Sequence, residues 1–395
     1  MTDIDPRMID PRMISKLTSR RRFIGGSAAA AAALLLAACS SGDKSATGGS
    51  NAPAAPSDDG TPATGKLRIS NWPLYMADGF VAAFQTASGL TVDYKENFND
   101  NEEWFAKNKE PLSRKQDIGA DLVVPSEFMA SRLIGLGWLN PISESRWTNQ
   151  KNMRADLLNS KADPGRKYTA PYMSGMVGIA YNRAVTGRDL TKVEDMWDPA
   201  FKGKVSLLSD MRDGLGMFLM AQGHSPESPT LETVQKAVDW IKEQKDKGQI
   251  RRFTGNDYAD DLAAGNVIAA QAYSGDVVQL QKDNPDLKFA IPETGSNTFV
   301  DTMVIPYTTQ NQKAAEEWIN YVYDRANYAK LIAATRYVPV LSDMTDELNR
   351  IDPELGKNPL INPSPETLAK LKGWAPLTDQ QTQEFNKAYA AVTGA

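Results

Sequence analysis

The sequence predicts an α/β fold with mostly parallel sheets, and three observations carry that prediction. From Lys66 onward, short apolar runs of strand character alternate with helical stretches. Asp121-Leu122-Val123-Val124-Pro125 is a continuous apolar run, as expected of a strand covered on both faces. Ala315, Trp318, Ile319, Val322 and Tyr323 fall on one stripe of a helix.

Taken in order, residues 67–72 read as the first strand. Phe80, Ala83, Phe84 and Ala87 recur at helical spacing, and Gly89 follows as a stop. Residues 90–94 are the next strand. After the 121–125 run, Met129, Leu133 and Ile134 mark another helix. Residues 177–181, 205–208 and 267–272 add strands, and 231–247 is a long helix. In sheets of this kind ligands bind beyond the carboxyl ends of strands, so candidate site residues are sought there.

The N-terminal region sets the compartment. Thr18-Ser19-Arg20-Arg21-Arg22-Phe23-Ile24 is basic and contains paired arginines, the mark of the twin-arginine export route. The apolar run 27–38 is too short for a bilayer core of roughly 30 Å and reads as a signal h-region. It ends in Leu36-Ala37-Ala38-Cys39, the small-residue approach to a lipid-modified cysteine. Residues 1–38 are therefore expected to be a lipoprotein signal peptide. Cys39 is the expected lipidation site, holding the protein on the outer face of the cytoplasmic membrane. The repeated Ile-Asp-Pro-Arg-Met at 4–8 and 9–13 has no functional account; Met8 and Met13 are alternative starts. Residues 39–65 are rich in Ser, Gly, Ala, Pro, Thr and Asp and lack aromatics, so they read as a flexible tether with a reach on the order of 30 Å.

Composition narrows the function. The chain has 395 residues, 41% of them hydrophobic, and a net charge of −5. Residues 1–38 carry six Lys/Arg against three Asp/Glu, leaving the remainder near −8. That balance argues against a nucleic-acid partner and suits a cationic ligand. The only histidine, His224, lies in a loop-like Gly-His-Ser-Pro string, and Cys39 is the only cysteine. No internal disulfide, His/Cys zinc site or Gly-x-Ser-x-Gly elbow is possible. Phosphate-loop and dinucleotide fingerprints are also missing. Neither a metal nor a cofactor is expected.

Several segments together resemble the extracytoplasmic spermidine/putrescine-binding proteins of ABC importers. They are Asn71-Trp72-x-x-Tyr75, Asp121-Leu122-Val123-Val124-Pro125-Ser126, Tyr168-x-x-Pro171-Tyr172, and the 197–204 string from Trp197 to Lys204. Asp261-Leu262-Ala263-Ala264-Gly265, Tyr273-Ser274-Gly275-Asp276 and Asp301-Thr302-Met303-Val304-Ile305-Pro306 complete the set. Their shared order and spacing carry the likeness from about residue 67 to the C-terminal end. The resemblance implies a two-lobed periplasmic-binding-protein fold of type II: mixed sheets flanked by helices, a hinge and an interlobe cleft. Lobe one is expected at 66–175 plus 301–345, and lobe two at 176–300 plus 346–395. It further implies a monomeric binding protein, not an enzyme, whose partners are a polyamine and the permease subunits of an ABC importer.

A polyamine needs carboxylates spaced along a groove and aromatic faces around its methylenes. The resemblance assigns Trp72 to an aromatic wall, Ser126 and Phe128 to the end of the 121–125 strand, and Asp210 and Asp213 to the end of the 205–208 strand. Tyr273 and Asp276 follow the 267–272 strand, with Asp276 meeting an inner ammonium. Phe299 and Asp301 precede the returning strand, and Tyr337 closes the cleft. Simpler roles stand beside these. Asp210 or Asp276 could cap a helix, Asp213 could be a first-turn charge, and Trp72 or Phe299 could be core. An aspartate entering an apolar strand, as Asp301 does, is costly without a partner.

The chain departs from the family at Leu74, where an acidic residue is common, and at Tyr273 and Phe299, where tryptophan is frequent. Arg212 points away from the site, neutralises its aspartates, or holds a ligand carboxylate. A γ-aminobutyrate-like zwitterion or thiamine therefore remains an alternative ligand. A carboxylate-based hydrolase and a sensing role remain alternative functions.

Overall fold

The computed structural model describes residues 59–394. The signal peptide, Cys39 and most of the tether lie outside the described residues. Eleven strands form the sheet: β1 Lys66–Asn71, β2 Thr91–Glu96, β3 Leu122–Val123, β4 Leu139–Asn140, β5 Thr169–Asn182, β6 Val205–Leu208, β7 Ile250–Thr254, β8 Ala269–Tyr273, β9 Leu287–Ala290, β10 Ser296–Pro306 and β11 Leu371–Lys372. Their order is β2-β1-β3-β10-β5-β8-β6-β7, with β4 and β11 paired to β10 and β9 to β5.

The sheet is mixed. β1 is parallel to β2 and β3, and β6 is parallel to β7 and β8. These pairs are the parallel α/β units that the alternation predicted. The two long strands break the pattern. β10 runs antiparallel to β3 and β5, and β5 runs antiparallel to β8 and β9. The resemblance anticipated mixed sheets, whereas periodicity detects a strand but not its neighbour, so which strands pair antiparallel is read from the structure. The 177–181 run is one end of β5, fourteen residues long and buried along nearly all its length.

The local signals explain the elements that formed. The helix Phe80–Ser88 ends at Gly89, whose φ of 73° is open to glycine without strain. The expected 231–247 helix is Leu231–Asp246, started by a Thr230–Thr233 capping box. The Trp318 stripe lies on the helix Gln312–Val322.

Hydrophobic burial is divided. One large cluster joins residues such as Leu67, Phe84, Trp104, Val123, Tyr172, Val304 and Trp318. Separate clusters gather around Ile179, Leu207, Phe218 and Phe385, and around Val177, Leu208, Tyr258 and Val277. β5 and β10 pass between these cores. Leu348, Leu355 and Ile361 belong to the first cluster, so it runs past the expected boundary at 345. Among the described residues, no helix is long and apolar enough to cross a membrane.

Asp121, fully buried, ties the first core together. It receives Arg68 Nε and Nη2 at 2.9 and 2.8 Å, the Arg68 backbone N–H at 3.0 Å, and Thr309 Oγ1 at 2.6 Å. These bonds hold β1, the approach to β3 and the turn after β10. Truncating Asp121 leaves Arg68 with only its 2.6 Å ion pair to Asp117 and strips the Arg68 N–H and the buried Thr309 hydroxyl of their acceptor. Asp121→Ala is expected to lower unfolding free energy by roughly 2–4 kcal/mol, moderated by the partial exposure of Arg68. Urea unfolding measures this, and a loss below about 0.5 kcal/mol would contradict it.

Candidate functional site

The ends of β1, β3 and β8 and the middle of β10 converge on a narrow cavity. Trp72, Tyr75, Ser126 and Tyr337 line it from the side of the first core. Asp213, Asn256 and Tyr273 line it from the opposite side, and Phe299 and Asp301 from the crossing strand β10. Seven of the ten residues expected at the site are therefore brought together: Trp72, Ser126, Asp213, Tyr273, Phe299, Asp301 and Tyr337.

Asp301 sits where the β10–β5 register shifts, a bulge at which Asp301 pairs with Met173 and Thr302 with Pro171. Bulges re-aim side chains, and this one lies next to the cavity. Asp301 is buried; Tyr75 Oη donates to its Oδ2 at 2.7 Å and Ser126 Oγ to its Oδ1 at 2.7 Å. Asp213 accepts from Tyr273 Oη at 3.0 Å and from Asn297 Nδ2 at 2.8 Å. Asp276 accepts from Tyr337 Oη at 2.5 Å, Tyr258 Oη at 2.6 Å and Asn256 Nδ2 at 3.1 Å.

Each carboxylate thus carries at least one tyrosine hydroxyl but has no cation bonded to it. Desolvation pushes Asp301 up to about 7, its two hydroxyl donors opposing and the charges of Asp213 and Asp276 adding. Desolvation likewise lifts Asp276 and Asp213 to about 6, against their hydrogen-bond donors. Burial also raises Tyr75, Tyr273 and Tyr337 well above the usual phenol range, so at neutral pH they remain donors.

Rings complete the enclosure. Tyr273 packs edge-on to Phe299 at 5.1 Å, Phe299 lies 6.1 Å from Tyr337, and Tyr337 lies 4.8 Å from Tyr75. Trp72 is held by its Nε1, which donates to Val124 O at 2.6 Å. Two glycines give the rings room. A Cβ on Gly175 would fall 2.3 Å from Phe299, and one on Gly275 2.4 Å from Tyr337.

The other three expected residues lie elsewhere. Asp210 caps the helix Met211–Ala221, accepting from the N–H groups of Arg212 and Asp213 at 2.9 and 3.3 Å. That is the simpler role the sequence allowed it. Phe128 lies under the Arg212 guanidinium, 4.0 Å from ring centroid to Cζ, and does not line the cavity. Asp276 is fully buried behind Tyr337 and Asn256, one layer back from the cavity surface. Burial lowers the Arg212 pKa, with Asp210, Glu102 and Asp213 opposing.

Tyr75, Asn256, Tyr258 and Asn297 were not anticipated as site residues. Tyr75 stands in the Asn71-Trp72-x-x-Tyr75 string, which was its signal. The other three had none, because their roles come from loops and helices distant in sequence.

Contacts also join the two sides of the cavity. Ser209 Oγ donates to Asp100 Oδ2 at 2.9 Å, Asn386 Nδ2 to Glu102 Oε1 at 3.1 Å, and Gln279 Nε2 to Leu74 O at 3.2 Å. The lips are shut.

A mixed sheet with parallel units on two sides, crossed by long strands over an enclosed cavity, is the architecture of a type II periplasmic binding protein. Residues 79–363 match the bacterial extracellular solute-binding protein family, and the chain belongs to that family. It is 27% identical to a spermidine/putrescine-binding periplasmic protein of Haemophilus influenzae, over 83% of this chain and 88% of the relative. A putrescine-binding periplasmic protein of Escherichia coli is 29% identical, over 77% of this chain and 85% of the relative. The solved structure of an ABC transporter protein of Listeria monocytogenes superposes with a TM-score of 0.73 at 24% identity, covering 83% of this chain and 98% of that one. The family is one of exported solute-binding proteins that work outside the cytoplasm.

The raised carboxyl values carry a sign. A group whose folded pKa exceeds its unfolded value near 3.9 contributes stability that is fully present below that value. The contribution is lost as pH rises through the folded values of about 6 to 7. The ligand-free protein is therefore expected to lose thermal stability between about pH 4 and 7, and Asp301→Asn to flatten that slope. Melting temperatures across the range test this; a slope unchanged by the substitution would contradict it.

Proposed function

We propose that this chain captures a di- or polyamine in the enclosed cavity and delivers it to the permease of an ABC importer, without catalysing a reaction. The observation that carries this reading is the set of buried carboxylates that lack a cationic partner. Asp301 and Asp213 receive the ammonium groups directly, and Asp276 acts through Tyr337 and Asn256. The faces of Trp72, Tyr273 and Phe299 surround the methylenes. Ammonium–carboxylate hydrogen bonds contribute roughly 1.5–3 kcal/mol each, and an ammonium over a ring about 0.5–2 kcal/mol. The curated relatives, named for spermidine and putrescine, support the same ligand class.

The first cluster and the pair of clusters opposite it act as two lobes hinged by β5 and β10, and ligand contacts to both favour the closed form that the permease reads. Lipidation at Cys39 after twin-arginine export keeps the monomeric body at the outer face of the cytoplasmic membrane, and the tether gives it reach. A second reading, an ω-amino acid, draws on Arg212, which is buried next to Asp213 in sequence but lies over Phe128 and is not among the residues lining the cavity.

Calorimetry with putrescine, spermidine, spermine, γ-aminobutyrate and thiamine tests the reading. A di- or polyamine is expected to bind best, more weakly in high salt. Affinity is expected to rise from pH 5 to 8 as the carboxyl groups give up their protons. Asp301→Asn and Asp213→Asn are each expected to weaken binding by roughly 1.5–3 kcal/mol. Losses below about 0.5 kcal/mol in both would remove the site assignment, and tighter binding of γ-aminobutyrate than of any diamine would favour the second reading.

A further inference from the structure

Asn256 lies in the loop between β7 and the helix Tyr258–Ala263, lines the cavity, and is nine-tenths buried. Its Nδ2 donates to Asp276 Oδ2 at 3.1 Å. A carboxylate only accepts in its ionised form, so this bond fixes which end of the amide faces Asp276. The other end, Oδ1, is buried and has no hydrogen-bond partner. A buried acceptor left unmade is unfavourable by the desolvation of that group.

The loop is also held from across the cavity. The Asn256 backbone N–H donates to Asn99 Oδ1 at 3.2 Å. A Cβ on Gly255 would fall 2.3 Å from Asn99 O, so only glycine permits this approach. These contacts therefore fix a residue of the cavity wall in position, with the acceptor of its amide buried and unused.

We propose that Asn256 is a ligand-binding residue whose side-chain carbonyl accepts a hydrogen bond from an ammonium of the guest, selecting N–H-bearing amines over quaternary ammonium compounds. The inference rests on the amine-binding reading above and sharpens it. Aromatic faces and carboxylates attract either kind of cation, because both respond to charge. Oδ1 responds to a hydrogen. A primary or secondary ammonium supplies one; a trimethylammonium group supplies none and leaves the acceptor unpaired. Discrimination of this kind comes from the polar group that the wrong ligand leaves unsatisfied.

The test is calorimetry on the full chain with putrescine and with its N,N,N-trimethyl derivative. The unsubstituted protein is expected to prefer putrescine by about tenfold or more. Asn256→Leu keeps the branched outline of the side chain, in a somewhat larger volume, and removes the acceptor. It is expected to collapse the preference by weakening putrescine, whereas a merely structural role would weaken both ligands alike. Asn256→Ser, smaller but still an acceptor, is expected to retain most of the preference. It decides the matter if the leucine variant does not fold: a preference lost through tighter binding of the trimethylated ligand means that only space was read, and overturns the proposal. Equal binding of the two ligands, or an unchanged ratio in Asn256→Leu, overturns it while leaving the amine-binding reading intact. Binding of neither ligand removes that reading, and this assignment with it.

Discussion

The structure turns on buried negative charge that lacks a positive partner. Asp301, Asp213 and Asp276 are taken out of water with no cation bonded to them, and an isolated carboxylate in such a place is strongly disfavoured. Tyrosine, serine and asparagine donors make the arrangement tolerable. They satisfy the oxygens without neutralising them, and the groups answer by holding protons more tightly. A cavity built this way is poised: its electrostatics improve when a donor cation replaces the protons.

The rest of the fold arranges that poise. β10 carries Asp301 and Phe299 between the first cluster and the clusters packed on the other side, and its register shift against β5 falls at Asp301. Each side supplies one wall, so the cavity exists only where the walls meet. The polar contacts of Asp100 with Ser209 and of Glu102 with Asn386 close the mouth without entering the cavity. Asp100 serves twice, since its Oδ1 caps the helix Asn101–Ser113 while its Oδ2 reaches across. Local helix chemistry and closure of the two walls are thereby coupled through one side chain.

Much of the fold was legible. Residues 205–208, the 231–247 helix and the Trp318 stripe matched their elements closely, because periodicity and capping are local properties. The antiparallel crossing by β5 and β10 was not legible, since pairing partners lie far apart in sequence. At the site, Asp301 stood out because a carboxylate at the head of an apolar run has no local explanation. Asp210 had one, helix capping, and that is the role it takes.

By itself the sequence determined the element types and supplied most of the polar and aromatic residues of the cavity, because these follow from spacing, composition and side-chain type. The tertiary structure decided the layering: Asp213 and Asp301 at the cavity wall, Asp276 one layer behind, Phe128 turned to Arg212, and Asn256 brought in with an open acceptor. Which atoms face one another across a cavity depends on how the two sides close. That packing is non-local, and no window of residues encodes it.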